Sequence, residues 1–174
     1  MTGARIGFTM DDKAFDADVK KLGGVLRTST LRAIGVALVE TTMQRFDSGT
    51  DPMGQKWKAL LPAYAAIKKG PGILRASLML QRSVTFATVG ATVTVGSNRI
   101  YAAVHQFGAT IKPVRAKALA FRLGATGPKG GKSFALVRAK AVTIPQRPYL
   151  GFGPKDQRAV LEVVSNEVAR AFSS

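Results

Sequence analysis

The sequence contains no cysteine and one histidine, His105. Without cysteine neither a disulfide framework nor a thiolate zinc site is possible, which fits a reducing compartment. A serine–histidine–aspartate triad would have to use His105 with a carboxylate from the first fifty or last twenty residues, and nothing in the sequence points to one. A metal site built of histidine and carboxylates is equally thin. No stretch approaches the roughly 20 consecutive apolar residues that cross a bilayer, and the opening MTGARIGFTMDDK has no apolar core segment. A cytosolic chain with no membrane partner is therefore expected.

Acidic residues are the other scarcity. The carboxylates are Asp11, Asp12, Asp16, Asp18, Glu40, Asp47, Asp51, Asp156, Glu162 and Glu167, against a net charge of +16. Between Asp51 and Asp156 there is none, while lysines and arginines recur from Lys56 to Lys155. A surface that cannot neutralise itself attracts an acidic partner, whether DNA, an acidic protein face or the acidic ends of a neighbouring copy. A merely solvated basic face is the alternative. The absence of titratable pairs through this middle region argues against acid–base catalysis, and neither a cofactor nor a small-molecule substrate is expected.

What is present is patterned. Val84, Phe86 and Thr88, then Val93 and Val95, alternate about Gly90 and predict a β-hairpin. Ser97 and Asn98 are helix N-cap types. Ile100, Ala103, Val104 and Phe107 then follow helical spacing as the expected core side of a short helix, which Gly108 ends at positive φ. Tyr101 and His105 share a second face of that helix, with Gln106 beside them. Ile6 and Phe8 predict a first strand. Phe15, Val19, Leu22 and Leu26 have helical spacing, Gly23-Gly24 interrupts, and a long helix is expected from Thr28 to Phe46 with Leu31, Ile34, Leu38, Thr42 and Arg45 along its stripes.

Asp47 to Gly54 is a cluster of turn formers, after which Trp57 and Leu60 are expected to pin a loop to the body, Trp57 alternatively touching a partner. A helical turn is expected between Pro62 and Lys69. Thr110 to Val114, Ala118 to Leu123 and Phe134 to Thr143 have strand composition, and Gly124 to Lys132, GATGPKGGK, has that of a mobile basic hairpin tip. This loop misses the P-loop spacing: Gly127 falls one place late and Gly124 two places early for Gly131-Lys132-Ser133, and no strand-to-helix context frames it. Pro145 and Pro148 make Ile144 to Gly153 a stiff extended segment. A last helix follows from Pro154, with Val160, Leu161, Val164, Val168 and Phe172 as its apolar stripe. The expected fold is a single α+β domain, 1–174: a helical part to residue 47, a loop and β-rich body over 48–153, and a C-terminal helix over 154–174. An antiparallel sheet packs against the terminal helices and carries a long basic hairpin loop.

Several stretches together resemble the phage virion morphogenesis family: Arg45-Phe46 ending a long helix, Asp51-Pro52-Met53-Gly54 then Trp57, Ile73-Leu74 with Leu80 and Arg82-Ser83-Val84, Val95-Gly96-Ser97, Tyr101-Ala102 with His105-Gln106-Phe107-Gly108, and Ile144-Pro145 with Arg147-Pro148-Tyr149. The likeness runs from about Thr28 onward. Leu78 departs from it, standing where the family's small glycine would follow Ile73-Leu74, which bears on the local bend. The resemblance implies a non-enzymatic virion protein, similar to tail completion and neck proteins of Mu-like and P2-like tailed phages and assembled in the host cytoplasm. It implies a homo-oligomeric ring, a hexamer with a dodecamer as alternative, between a tail tube or tail terminator protein and a head connector or adaptor protein. Non-specific contact with DNA passing through the neck is a further expectation. Trp57, Tyr101, His105, Gln106, Phe107, Lys129, Lys132, Arg147 and Tyr149 are the candidate interface residues. A free nucleic-acid-binding protein is the competing function, against which stands the lack of any helix-turn-helix or other reader.

Overall fold

The computed structural model describes residues 5–8, 28–66, 68, 70–126 and 132–172. The segment holding Phe15, Val19, Leu22 and Leu26 and the hairpin tip at 127–131 lie outside the described residues.

Helix α1, Thr28–Ser48, follows the expected period and buries Leu31, Ile34, Leu38, Thr42, Arg45 and Phe46 along one side. Strand β1, Arg5–Phe8, joins the hairpin of β2, Val84–Val89, and β3, Thr92–Ser97, in an antiparallel sheet ordered β1-β3-β2. The alternation works as expected on β3, where Val93, Val95 and Ser97 are buried. Helix α1 packs between this sheet and the last helix, α4, Pro154–Phe172. At Gly35 the approach to the sheet is so close that a Cβ would stand 2.2 Å from the ring of Phe86, so a glycine is required there.

Other elements differ from expectation. The helical turn becomes α2, Pro62–Ala65. The sheet is divided: among the described residues β4, Ala109–Ile111, pairs only with β7, Val142–Ile144, and β5, Leu119–Thr126, only with β6, Lys132–Ala139. What reads as one strand from Phe134 to Thr143 is thus two, serving two sheets. The β5–β6 hairpin also reaches further than expected, with Gly124 to Thr126 and Lys132 paired as strand. In α4, Val160 is buried and Val163 and Val164 pack against the core, while Leu161 is 58% exposed. The helix rests on α1 through a narrower seam than the expected stripe.

The turn after Ile73-Leu74 keeps its bend without the glycine. Leu74 and Leu78 both adopt left-handed backbone, at φ 61° and 58°. Gln81 holds this loop to the end of α1, donating to Met43 O and Asp47 Oδ1 at 3.3 and 3.2 Å, while Arg75 pairs with Asp47 at 2.9 Å.

Candidate functional site

Residues 145–153 form a strap, and nearly every motif residue of the middle and end of the chain meets on it. The segment contains two prolines and cannot join a ladder, so side chains satisfy its backbone instead. Gln106, on the short helix α3, Ala102–Phe107, does most of this. Its Nε2 donates to Leu150 O at 2.8 Å, and its Oε1 accepts from Tyr149 N and Leu150 N, both at 3.0 Å. The amide imitates a neighbouring strand. Trp57 Nε1 donates to Pro148 O at 2.8 Å, and its ring stands edge-on to Phe46, 5.7 Å between centroids. Arg147 turns back, its N–H donating to His105 O at 2.8 Å and its Nε to Lys58 O at 3.0 Å.

Arg45 closes the other end. Its guanidinium donates to Tyr149 O at 3.0 Å and Gly151 O at 3.1 Å, and pairs with Asp156 in the interior. Asp156 also accepts from Thr41 Oγ1 and from Gly153 N at 2.7 Å, capping the first turn of α4. Among the described residues neither Arg45 nor Asp156 leaves a fully buried side-chain nitrogen or oxygen without a partner, as a buried ion pair requires. Burial pulls the Arg45 pKa down, with Asp156 opposing it. Tyr149 is fully buried, packs on Phe46 at 5.0 Å, and has its phenol pushed up by burial and by Tyr101. Gly153 is fixed by Pro52: a Cβ there would stand 1.9 Å from Pro52 O.

This arrangement corrects several expectations. Trp57, Gln106, Arg147 and Tyr149 are 6%, 5%, 6% and 0% exposed, leaving no side-chain area for a partner. They are struts that hold the strap. The core side of α3 is shifted from the expected one: Ala102 and Gln106 are inside and Ala103 packs against the core as expected, while Ile100 and Phe107, also expected inward, are 76% and 62% exposed. Ser97 does not cap α3. It ends β3 buried, bonding Ser83 Oγ and accepting from Arg99 N, and the helix begins after Tyr101.

Ile100 and Tyr101, just before α3, and Phe107 at its end are exposed, with half-buried His105 between them. Tyr101 and His105 meet edge-on at 5.9 Å. His105 is half-buried, with Nδ1 shielded from solvent and unpartnered among the described residues, and its pKa is lowered by burial and then by Arg147. It borders a cavity of about 450 Å³ between Lys58–Leu61, Tyr64 and β7. Arg147, a cation, is its charged neighbour. Lys132 opens β6, and Lys129 lies outside the described residues. Among the described residues no cluster of three histidines and carboxylates could hold a metal, and no helix is long and apolar enough to cross a membrane. Arg45 and Asp156 were missed as a pair from sequence; the only trace was an arginine on an otherwise apolar stripe.

Comparisons with known proteins agree with this constellation of motifs. The chain is 25% identical over 169 residues to the putative capsid assembly protein G of Escherichia phage Mu, the match covering 93% of each. No solved structure matches. The model of the phage virion morphogenesis family matches residues 11–169, so the chain belongs to the phage virion morphogenesis family.

Proposed function

We propose that this virion morphogenesis protein is a neck component, a ring-forming tail completion protein that joins the tail tube or its terminator to the head connector. It acts by binding, without catalysis. The observation that carries this is the division of labour among the motif residues. Trp57, Gln106, Arg147 and Tyr149 are spent on rigidity, and the surface is left with apolar side chains such as Ile100, Phe107, Val89 and Val114, the last 95% exposed. A monomer leaves single apolar residues outside without consequence, but several on one modest chain suit a protein that is covered when assembled. A hexamer matches a tail tube, with a dodecamer as alternative.

The uncompensated cations favour a second function, nucleic-acid binding. Lys112, Arg115, Lys117, Arg138 and Lys140 are exposed and form no ion pair among the described residues. The deciding experiment is native mass spectrometry of the purified chain across a salt series, with and without short duplex DNA. A closed multimer indifferent to DNA is the expected result. A monomer that takes up duplex with steeply salt-dependent affinity would replace the neck proposal with the second one.

A further inference from the structure

Apolar lining, positive charge and an unpartnered shielded atom coincide at the cavity beside His105. Its walls include Leu60, Leu61 and Tyr64, with Val142 and Ile144 of β7 and Pro145 of the strap. Leu61 is 77% exposed and Tyr64 43%, so the opening has an apolar lip. At about 450 Å³ it has the size of a binding cleft. The fixed charges that line it, Lys58 and Arg147, are both cations. Among the described residues Lys58 forms no ion pair, and the sequence has no carboxylate from 52 to 155. Burial lowers the Arg147 pKa, and the group opposing it is the Tyr64 phenol rather than a carboxylate. With His105 Nδ1 unpartnered at its border, this is a cleft for an apolar segment that also carries acid.

The sequence holds such a segment outside the described residues. From Asp11 to Val19, DDKAFDADV sets four aspartates against Lys13 around Phe15 and Val19, before Lys20 and Lys21 follow. It is tethered at Phe8, the end of β1, and at Thr28, the start of α1. Both tethers lie at one end of the body. Phe8 pairs with Val93, beside the turn that joins β2 to β3. Helix α1 runs against β2, with Gly35 at Phe86 and Met43 and Asp47 at Gln81, so Thr28 points toward the same turn. The cavity is at the other end, where Trp57 meets Phe46 and Lys56 donates to Ser48 O. From Thr28 to Phe46 the helix rises about 27 Å. Phe15, seven residues past Phe8, reaches at most about 24 Å from it when fully extended, so the acidic stretch falls short of the cavity on its own chain.

We propose that residues 11–19 of one copy occupy this cavity on a second copy, with Phe15 and Val19 against Leu61, Tyr64 and Ile144, and with the aspartates beside Lys58 in the positive field of Arg147. This rests on the ring proposal and specifies its contact. Segment and cavity stand at opposite ends of the body, so the contact is head-to-tail. Each copy gives one segment and receives one, and the series ends when the ring closes.

The lack of native cysteine makes the test direct. Full-length chains carrying Asp16→Cys in the segment or Leu61→Cys at the cavity lip are mixed and oxidised, each first matched to the parent in thermal midpoint. A disulfide-linked pair in the mixture and in neither variant alone is the expected result. On the exposed Lys58, Lys58→Glu should raise the concentration for half-assembly about tenfold, and Asp12→Lys/Asp16→Lys on the same chain should restore it. A multimer that shows no such linkage, or that Lys58→Glu leaves unchanged, overturns the proposal and leaves the neck function standing. Linkage within single dilute chains that carry both cysteines also overturns it, since the segment would then cover its own cavity. A chain that neither links nor multimerises at any concentration counts against both.

Discussion

Arg45 shows how much of the body one side chain holds. It joins the end of α1 to the strap and to the first turn of α4 in a single interior network. Arg45→Met strands the carboxylate of Asp156 in the interior, and the expected loss is about 3–5 kcal/mol. Adding Asp156→Leu should recover part of that loss, because an apolar pair has no charge to desolvate. Urea denaturation of the two singles and the double measures the coupling, and additive losses would contradict it. At Leu78 the expectation runs the other way. A leucine at φ 58° is strained where the family's glycine is not, so Leu78→Gly relieves the backbone while freeing the unfolded chain. The net gain should be about 0 to 1 kcal/mol, read as an unchanged or raised denaturation midpoint.

Among the elements, those with a sustained period were legible. Helix α1, the β2–β3 hairpin about Gly90 and α4 all stand where their spacing put them. The short helix was found and Ala103 lies on the core as expected, but its inward face was only partly legible, because Gln106 is buried by hydrogen bonds to a strap distant in sequence and a hydropathy pattern counts it as outward. The Arg45–Asp156 pairing was not legible for the same reason, since its partners lie on different elements and the arginine on the stripe of α1 does not name its acid. Burial of the interface candidates Trp57, Arg147 and Tyr149 has the same origin. In β2, the alternation of Val84 and Phe86 was visible, whereas the glycine of α1 that receives the Phe86 ring was not. Gly35→Leu should push α1 off the sheet at a cost of about 1–3 kcal/mol, seen in thermal unfolding, with Phe86→Ala partly relieving it. On α3, His105 titrates below its ordinary value, so the folded form favours the neutral ring. Its contribution is fully present above pH ~6.5, the unfolded value, and is lost as pH falls through the lower folded value. His105→Gln should flatten the slope of stability against pH below about 6.5, measured by urea midpoints at stepped pH.

For the whole molecule, the distribution of charge is more telling than its sum. Among the described residues the exposed carboxylates outside an ion pair, Glu40 and Glu162, lie on α1 and α4, while Lys112, Arg115, Lys117, Arg138 and Lys140 are exposed in the stretch between β4 and β7. Copies joined through opposite charges should come apart as salt shortens the screening length from about 10 Å at 0.1 M to about 3 Å at 1 M. Sedimentation of the multimer across that range checks this, and a mass unchanged by salt would mean that apolar contact alone holds it.

The ion pair at the centre of the body also sets an order of events during synthesis. Arg45 leaves the ribosome 111 residues before the Asp156 it needs, and the strap that covers Phe46 and Trp57 lies just ahead of that aspartate. Until then the nascent chain carries an unanswered cation and an open aromatic cluster at the end of α1. Translation that stops before Asp156 therefore releases a chain whose body has not closed.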